Sequence, residues 1–144
     1  VICGKPQIAN DQLVTYLKKD EKTNTVSIAP KTEEGAKQAI LNYQVLGTKS
    51  FTENGQDTTL SLLEINLVTG RSHQIRVQMS KQLNAPVYAD FKYGDKTHKG
   101  NLALWAYKLE FVHPTTKQNM VFKVEPDYNN SIFEAFKLDI QKLI

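Results

Sequence analysis

The chain has 144 residues, of which 40% are hydrophobic and 23% are charged, and its formal net charge is +3. This length suits one globular domain, and the composition excludes large-scale disorder. No apolar run approaches the roughly 20 residues that cross a bilayer, and no secretion leader opens the chain, so we expect a cytoplasmic protein with no membrane contact. The single cysteine, Cys3, cannot form an internal disulfide and fits a buried structural thiol in a reducing compartment.

The first quarter of the chain predicts little regular structure. Residues 1–4 are typical of the end of a strand, which a Lys-Pro pair then terminates. Residues 7–37 are polar and rich in turn formers, with short apolar patches at 13–17 and 26–28. We therefore predict irregular structure with short strands in this region.

Two segments with alternating apolar residues follow. Residues 39–46 and 58–67 place apolar side chains at every second position, which predicts two half-buried strands. The connection at 47–57 contains an Asn-Gly pair, a strong hairpin signal. The two strands should therefore pair antiparallel.

A helix is predicted after the second strand. A Thr-Gly turn precedes Ser72, a suitable N-cap, and the helix should reach about Leu83. Ile75, Met79 and Leu83 recur at helical spacing, which predicts that they form the buried stripe. Arg76 then lies at the border of that stripe, near the helix start.

The last third of the chain predicts a loop, two strands and a helix. The loop covers residues 87–100, and the strands cover residues 102–112 and 120–124. Ser131 and Glu134 form a capping box before an amphipathic segment, which predicts the C-terminal helix. The elements together predict an α+β fold, with a mostly antiparallel mixed sheet and flanking helices.

The two arginines are the most informative charged residues. Both Arg71 and Arg76 lie in the turn and helix start, whereas the sixteen lysines are scattered. A guanidinium presents a planar fork of donors to a carboxylate, a phosphate or a base edge, which lysine cannot do. Three hypotheses remain open on these residues: a nucleic-acid-modifying enzyme with Arg76 in its active site, a module that only binds RNA, and a structural domain whose arginines cap or pair.

Other common catalytic patterns are absent from the sequence. His73, His98 and His113 lack the spacing of a zinc site, and we expect no metal. His113 is expected to be structural, whereas His98 is either solvated or an RNA contact. Asp90 is the best placed carboxylate for a nucleophile or general acid, although an aspartate in such a loop more often makes a turn or an ion pair.

The basic segment 81–99 has the composition of a polyanion contact. Its lysines alternate with Tyr88, Phe91 and Tyr93, which offer stacking surfaces to bases. A solvated surface explains the same composition. The position directly after the arginine helix favours the RNA contact, because a helix N-terminus already attracts a phosphate.

Three motifs resemble those of a known family. Residues 69–77 read T-G-R-S-H-Q-I-R-V and resemble the T-G-R-[TS]-H-Q-[IL]-R-V signature of the RluA-type RNA pseudouridine synthases. The segments N-A-P-V-Y-A-D-F-K-Y-G and A-L-W-A-Y-K-L-E-F-V-H-P also resemble family motifs. The resemblance identifies the chain as the C-terminal portion of one pseudouridine synthase catalytic domain.

The resemblance implies a mechanism and a set of site residues. In this family an aspartate attacks a flipped-out uridine without metal or organic cofactor, and the arginine matching Arg76 pairs with that aspartate. Arg76 is therefore the expected catalytic residue. The expected RNA-binding residues are Arg71, His73, Gln74, Lys81 and Lys92.

The departures from the family pattern are equally specific. The chain has no H-R-L-D segment, which carries the family's aspartate, and it lacks the active-site tyrosine. Trp105 stands where the family has a histidine. We therefore expect this chain to be inactive alone, with Arg76 unpaired and facing an open groove, and the intact protein to be a monomer that isomerises uridine in ribosomal or transfer RNA. A non-catalytic RNA-binding domain on the same scaffold is the alternative.

Overall fold

The computed structural model describes residues 1–144, with the side chain of Glu53 excepted. The main sheet contains five strands, which are β1 (Ile2–Cys3), β2 (Asn10–Asp20), β3 (Thr25–Ile28), β4 (Lys37–Glu53) and β5 (Gln56–Leu67). Their order across the sheet is β1-β5-β4-β2-β3, and each neighbouring pair is antiparallel.

The remaining elements lie outside this sheet. They are helix α1 (Gln74–Lys81), the hairpin of β6 (Lys108–Val112) and β7 (Asn119–Lys123), a 3-10 turn (Ile132–Phe136) and helix α2 (Lys137–Gln141). Among the described residues, no helix combines the length and the apolar character needed to span a membrane. The predicted α+β fold is confirmed.

The antiparallel hairpin of β4 and β5 is confirmed, and both strands are longer than predicted. Of the short strands predicted within 7–37, β3 agrees with the apolar patch at 26–28. The prediction is wrong for β2, which is 11 residues long and pairs with β4 from Asn10 to Leu17. In β2, Leu13 and Leu17 are buried on one face, while Val14 is 45% exposed on the other. The polar Thr15 on the face of Leu13 and Leu17, and the apolar Val14 and Tyr16 on the other face, conceal this period of two in the sequence.

The segment predicted as strand 102–112 forms a ladder only in β6. Before β6, the backbone N–H of Ala103 donates to the carbonyl of Tyr88. This part of the predicted strand is therefore hydrogen-bonded to the loop after α1 and not to a strand. The apolar side chains of the β6–β7 hairpin face solvent, with Leu109 60% and Phe122 52% exposed. The alternation of apolar and polar residues correctly predicted strands here, but it did not show which face of the hairpin is buried.

Helix α1 begins later than predicted. Its N-cap is His73, in the left-handed region with φ 51° and without a side-chain cap, and not Ser72. The buried stripe also differs, because Val77 and Met79 are fully buried whereas Ile75 is only half-buried. The helix lies between two buried clusters, one around Met79 and one around Val77, so its buried surface is wider than a single stripe.

The C-terminal helix is also shorter than its pattern predicts. Ser131 accepts a hydrogen bond from the Phe133 N–H at 3.2 Å, as an N-cap should, but the turn that follows is a 3-10 turn. Phe136 and Ile140 are buried in the cluster that contains Met79. This C-terminal segment therefore completes the main hydrophobic core. It is remote in sequence from both arginines.

Candidate functional site

The turn that leads into α1 is held by one buried glutamine. The Gln74 Oε1 accepts from the Thr69 hydroxyl at 2.9 Å and from the Arg71 N–H at 2.9 Å. Its Nε2 donates to the Ile40 carbonyl at 3.1 Å. Gln74 is 3% exposed, so its side chain stabilises the turn and leaves almost no surface for an RNA contact.

Arg71 and His73 lie on the outer side of this turn. Arg71 is exposed, and its Nε donates to the Gln38 carbonyl at 2.9 Å, which leaves the Nη nitrogens directed towards solvent or a ligand. His73 is half-buried, with Nδ1 2.5 Å from the Tyr93 hydroxyl. Tyr93 also accepts the Val26 N–H at 3.0 Å, so one hydroxyl joins the turn to the edge strand β3.

His73 is neutral at physiological pH. Burial lowers its pKa below the ordinary value of 6.5, and the positive charges of Arg76 and Lys92 lower it further. A neutral imidazole can accept a hydrogen bond from the Tyr93 hydroxyl at Nδ1. The ring also packs edge-on against Tyr93, with centroids 5.4 Å apart.

Arg76 forms a bidentate ion pair with Asp90. Its Nε donates to Oδ2 at 2.9 Å, and its Nη2 donates to Oδ1 at 2.8 Å. The hydrogen bonds to Asp90 raise the pKa of Arg76, against the opposing effect of burial, so the guanidinium stays charged. The expectation of an unpaired Arg76 is therefore wrong. The loop after α1 returns over the helix and supplies a carboxylate that sequence spacing did not reveal.

Asp90 is built into the loop as a fixed partner. Its side chain has no exposed surface, and its Oδ1 also accepts the Tyr93 N–H at 3.2 Å. A carboxylate that is buried and bound on both oxygens cannot approach a substrate. Of the roles considered for Asp90 from sequence, both the turn and the ion pair are observed. The partner in the ion pair is an arginine and not a lysine.

Tyr93 supports the arginine from the side, a role that sequence reasoning missed. The guanidinium carbon of Arg76 lies 4.8 Å from the centroid of the Tyr93 ring, within cation–π distance. The short spacing of Asp90 and Tyr93 in one loop is the signal that could have identified this support. Together the two residues fix the plane of the guanidinium, and Nη1 makes no hydrogen bond to any residue that the structure describes.

The two lysines predicted to contact RNA lie beside this centre. Lys81 and Lys92, with Tyr93 and β3, line a shallow cavity of about 470 Å³. Lys92 Nζ donates to the Asn24 carbonyl and lies 5.9 Å from the centroid of the Tyr93 ring. The structure therefore places His73, Lys81 and Lys92 around Tyr93, with Arg76 against the same ring. Arg71 lies on the same turn as His73 and bonds Gln38 instead of Tyr93.

The other two histidines have internal roles. His98 is 6% exposed, so neither the solvated position nor the RNA contact considered from sequence is correct. It lies against Asp95 and Cys3 beside β1. His113 is structural, as predicted, because its Nδ1 accepts the N–H groups of Thr115 and Thr116 in the β6–β7 turn.

Comparisons with known proteins show the family of the chain. The sequence model of one protein family, described as RNA pseudouridylate synthase, matches residues 1–81, which is more than half of the chain. The chain belongs to the RNA pseudouridylate synthase family. The match ends at the last residue of α1, so the family region includes both arginines and His73.

Individual family members are similar along most of the chain. The ribosomal large subunit pseudouridine synthase C of Buchnera aphidicola is 32% identical over 84% of this chain and 35% of its own length. The RNA pseudouridine synthase 3, mitochondrial, of Oryza sativa is 32% identical over 96% of this chain and 25% of its own length. The tRNA pseudouridine synthase C of Vibrio vulnificus is 33% identical over 73% of this chain and 48% of its own length. The chain thus spans less than half of each of these relatives.

Solved structures of the family share the fold. Human RNA pseudouridylate synthase domain containing 1 superposes with a TM-score of 0.68 at 23% identity, covering 88% of this chain and 51% of that protein chain. Human RNA pseudouridylate synthase domain containing 4 gives a TM-score of 0.65 at 19% identity, covering 94% and 59%. The sheet and the arginine helix therefore form part of the family's fold.

Proposed function

We propose that the intact protein isomerises uridine to pseudouridine in structured RNA, ribosomal or transfer, and that this chain supplies the arginine side of its active site. Arg76 acts as the positioning residue for a catalytic aspartate that comes from outside these 144 residues. The chain alone is then inactive. The reaction uses no metal or organic cofactor, and we infer a cytoplasmic monomer.

The ion pair of Arg76 and Asp90 carries this proposal. Asp90 holds the guanidinium by Nε and Nη2, while the side chain of Arg76 keeps 20% of its surface exposed. The remaining N–H groups can therefore bind a second carboxylate without rearrangement. A short charge-assisted bond of this kind would orient a nucleophile and keep it ionised.

A catalytic carboxylate within the chain would have to reach Arg76. Asp90 is the carboxylate that pairs with it among the described residues, and its buried side chain excludes attack on a base. This favours an aspartate from elsewhere in the protein, as the resemblance implies. The exposed part of Arg76 marks where that side chain would dock.

We infer that the chain is the C-terminal portion of one catalytic domain. It spans 25% to 48% of the relatives described above and 51% to 59% of the two solved structures. The β6–β7 hairpin also exposes Leu109, Phe111, Val121 and Phe122. Apolar side chains at this density on one hairpin usually have a partner surface. The rest of the domain would cover them.

The proposed RNA surface consists of Arg71 and the three side chains around Tyr93. Arg71, Lys81 and Lys92 are exposed cations that can neutralise phosphates. Neutral His73, whose Nδ1 accepts from Tyr93, can donate a hydrogen bond from Nε2. Gln74 supports this surface from behind and is not assigned an RNA contact. Extruding a uridine from its stack costs a few kcal/mol, which contacts in the completed pocket must offset.

The test is release of tritium from RNA labelled at carbon 5 of uridine. The intact protein should release tritium with multiple turnovers, and the 144-residue chain alone should release none while still binding RNA. Turnover by the chain alone would overturn the proposed division of the site. RNA binding by the intact protein without any release would favour the non-catalytic RNA-binding scaffold.

A further inference from the structure

Three metal-ligating side chains from two distant parts of the chain meet beside β1. The Cys3 Sγ lies 3.4 Å from the Asp95 Oδ2 and 3.7 Å from the His98 Nδ1. The Asp95 Oδ2 and the His98 Nδ1 are 2.9 Å apart. Asp95 and His98 are buried and Cys3 is half-buried. The cysteine is 92 and 95 positions from its two partners, so no short motif reveals the cluster.

The geometry excludes a cysteine nucleophile activated by a histidine relay. In such a relay the thiol and the carboxylate face opposite nitrogens of the imidazole ring. Here the Cys3 thiol and the Asp95 carboxylate both face Nδ1 of His98. The three ligand atoms therefore lie on one side of the imidazole, within 3.7 Å of one another.

The separations of the ligand atoms suit one small cation. Zinc bonds of about 2.3 Å to sulfur and 2.0–2.2 Å to nitrogen or oxygen, at tetrahedral angles, place neighbouring ligand atoms about 3.3–3.6 Å apart. The observed separations of 2.9, 3.4 and 3.7 Å need shifts of only a few tenths of an ångström to match these values. A thiolate and a carboxylate would also balance the charge of a divalent ion, which suits a buried site.

We propose that Cys3, Asp95 and His98 bind one divalent cation of the zinc class, with water as the fourth ligand. A thiolate, an imidazole and a carboxylate together favour Zn²⁺ over the hard cations Mg²⁺ and Ca²⁺. Binding displaces the thiol proton to solvent, and the imidazole carries its remaining proton on Nε2. The proposal stands on these contacts and is independent of the proposed function.

The surroundings orient the ligands as outer-shell partners do in metal sites. The Asp95 carboxylate accepts the N–H of Ala89 at 2.6 Å and of Thr97 at 3.1 Å. The Tyr88 ring lies over the imidazole of His98, with centroids 4.4 Å apart. Such contacts fix the direction of a ligating carboxylate and imidazole before metal binds.

The cation would connect β1 with the loop that carries the arginine's partner. The backbone N–H of Asp95 donates to the backbone carbonyl of Asp90 at 2.8 Å. A proposed metal ligand is therefore hydrogen-bonded, through the backbone, to the residue that pairs with Arg76. The site would therefore be structural, because the cation would hold the loop from Val87 to His98 against β1. It would raise the stability of the loop and contribute no group to the reaction.

The experiment is a Co²⁺ titration of the full chain after treatment with chelator and reductant. Cobalt gives visible d–d bands whose intensity reports tetrahedral geometry and a near-ultraviolet band that reports a thiolate ligand. We expect both bands to saturate at about one equivalent and to vanish on adding Zn²⁺. Cys3→Ser should abolish the thiolate band and weaken Zn²⁺ binding by at least about tenfold, and His98→Gln should weaken it similarly. His113→Gln, in the β6–β7 turn, should bind as the unchanged chain does.

Thermal unfolding without metal shows whether each variant is folded, and with Zn²⁺ it supplies a second readout. Zinc should raise the Tm of the unchanged chain and of His113→Gln equally, and should raise that of Cys3→Ser or His98→Gln by less. Absence of the thiolate band in the unchanged chain would overturn the proposal. So would an equal Zn²⁺-dependent rise of Tm in all of the variants that fold.

Discussion

The guanidinium of Arg76 donates two hydrogen bonds to the carboxylate of Asp90, from Nε at 2.9 Å and from Nη2 at 2.8 Å. The two residues lie 14 positions apart, on α1 and on the loop that follows it. The carboxylate is fully buried, and the arginine is not. The pair therefore fixes the Nε and Nη2 edge of the guanidinium and leaves Nη1 available for a second carboxylate.

Asp90→Asn should destabilise the chain by about 3 kcal/mol, because it removes the charge that compensates the largely buried guanidinium. Urea unfolding followed by circular dichroism measures this loss. Glu33→Gln is the matched control, since Glu33 pairs with Lys18 at 3.0 Å but both side chains are more than 40% exposed. That exposed pair should contribute less than about 1 kcal/mol. Equal losses for the two variants would contradict a structural role for Asp90.

His73 should make the chain less stable in mildly acidic solution. Burial, Arg76 and Lys92 lower its folded pKa below 6.5, so the unfolded chain binds more protons between the folded pKa and 6.5. The free energy of unfolding therefore falls as the pH drops below about 6.5. His73→Gln should remove this part of the pH dependence. Urea unfolding at several pH values measures it, and an unchanged slope in the variant would contradict the assignment.

Gln74→Met should lower stability by about 2 kcal/mol, because it leaves the Arg71 N–H without its acceptor in a buried turn. Affinity for RNA, corrected for the folded fraction, should change little. Gln12→Met is the control, since Gln12 is exposed and its side chain bonds only the Asn42 side chain. A loss of RNA affinity with unchanged stability would instead make Gln74 an RNA contact.

Lys81→Gln and Lys92→Gln should each weaken RNA binding by the intact protein in a salt-dependent way. Each lost phosphate contact should reduce the slope of log K against log salt by about 0.7 to 0.9. Fluorescence anisotropy at several salt concentrations measures this slope. Lys142→Gln, at the end of α2 with a side chain 78% exposed, should leave the slope unchanged. An equal reduction in all three variants would indicate a general charge effect.

The sequence predicted the paired strands β4 and β5 because both faces of their pattern are regular, and it predicted the arginine helix from its turn and spacing. It predicted only short strands before residue 37 and so missed the length of β2, whose pairing with β4 is decided by tertiary contact and not by its own polar composition. The partner of Arg76 was missed for the same physical reason. The loop that carries Asp90 folds back over α1, and no local periodicity encodes that return. The cluster of Cys3, Asp95 and His98 is likewise formed only in three dimensions.

The most direct test of the central claim is the tritium-release rate of the intact protein with Arg76→Lys. Lysine keeps the positive charge but cannot bind Asp90 and a second carboxylate as a planar fork. We expect turnover to fall by at least about 100-fold, the scale of losing one preorganised donor at an active site, with RNA affinity and the folded fraction largely retained. A rate that falls only in proportion to the folded fraction would contradict the account and make Arg76 a structural residue.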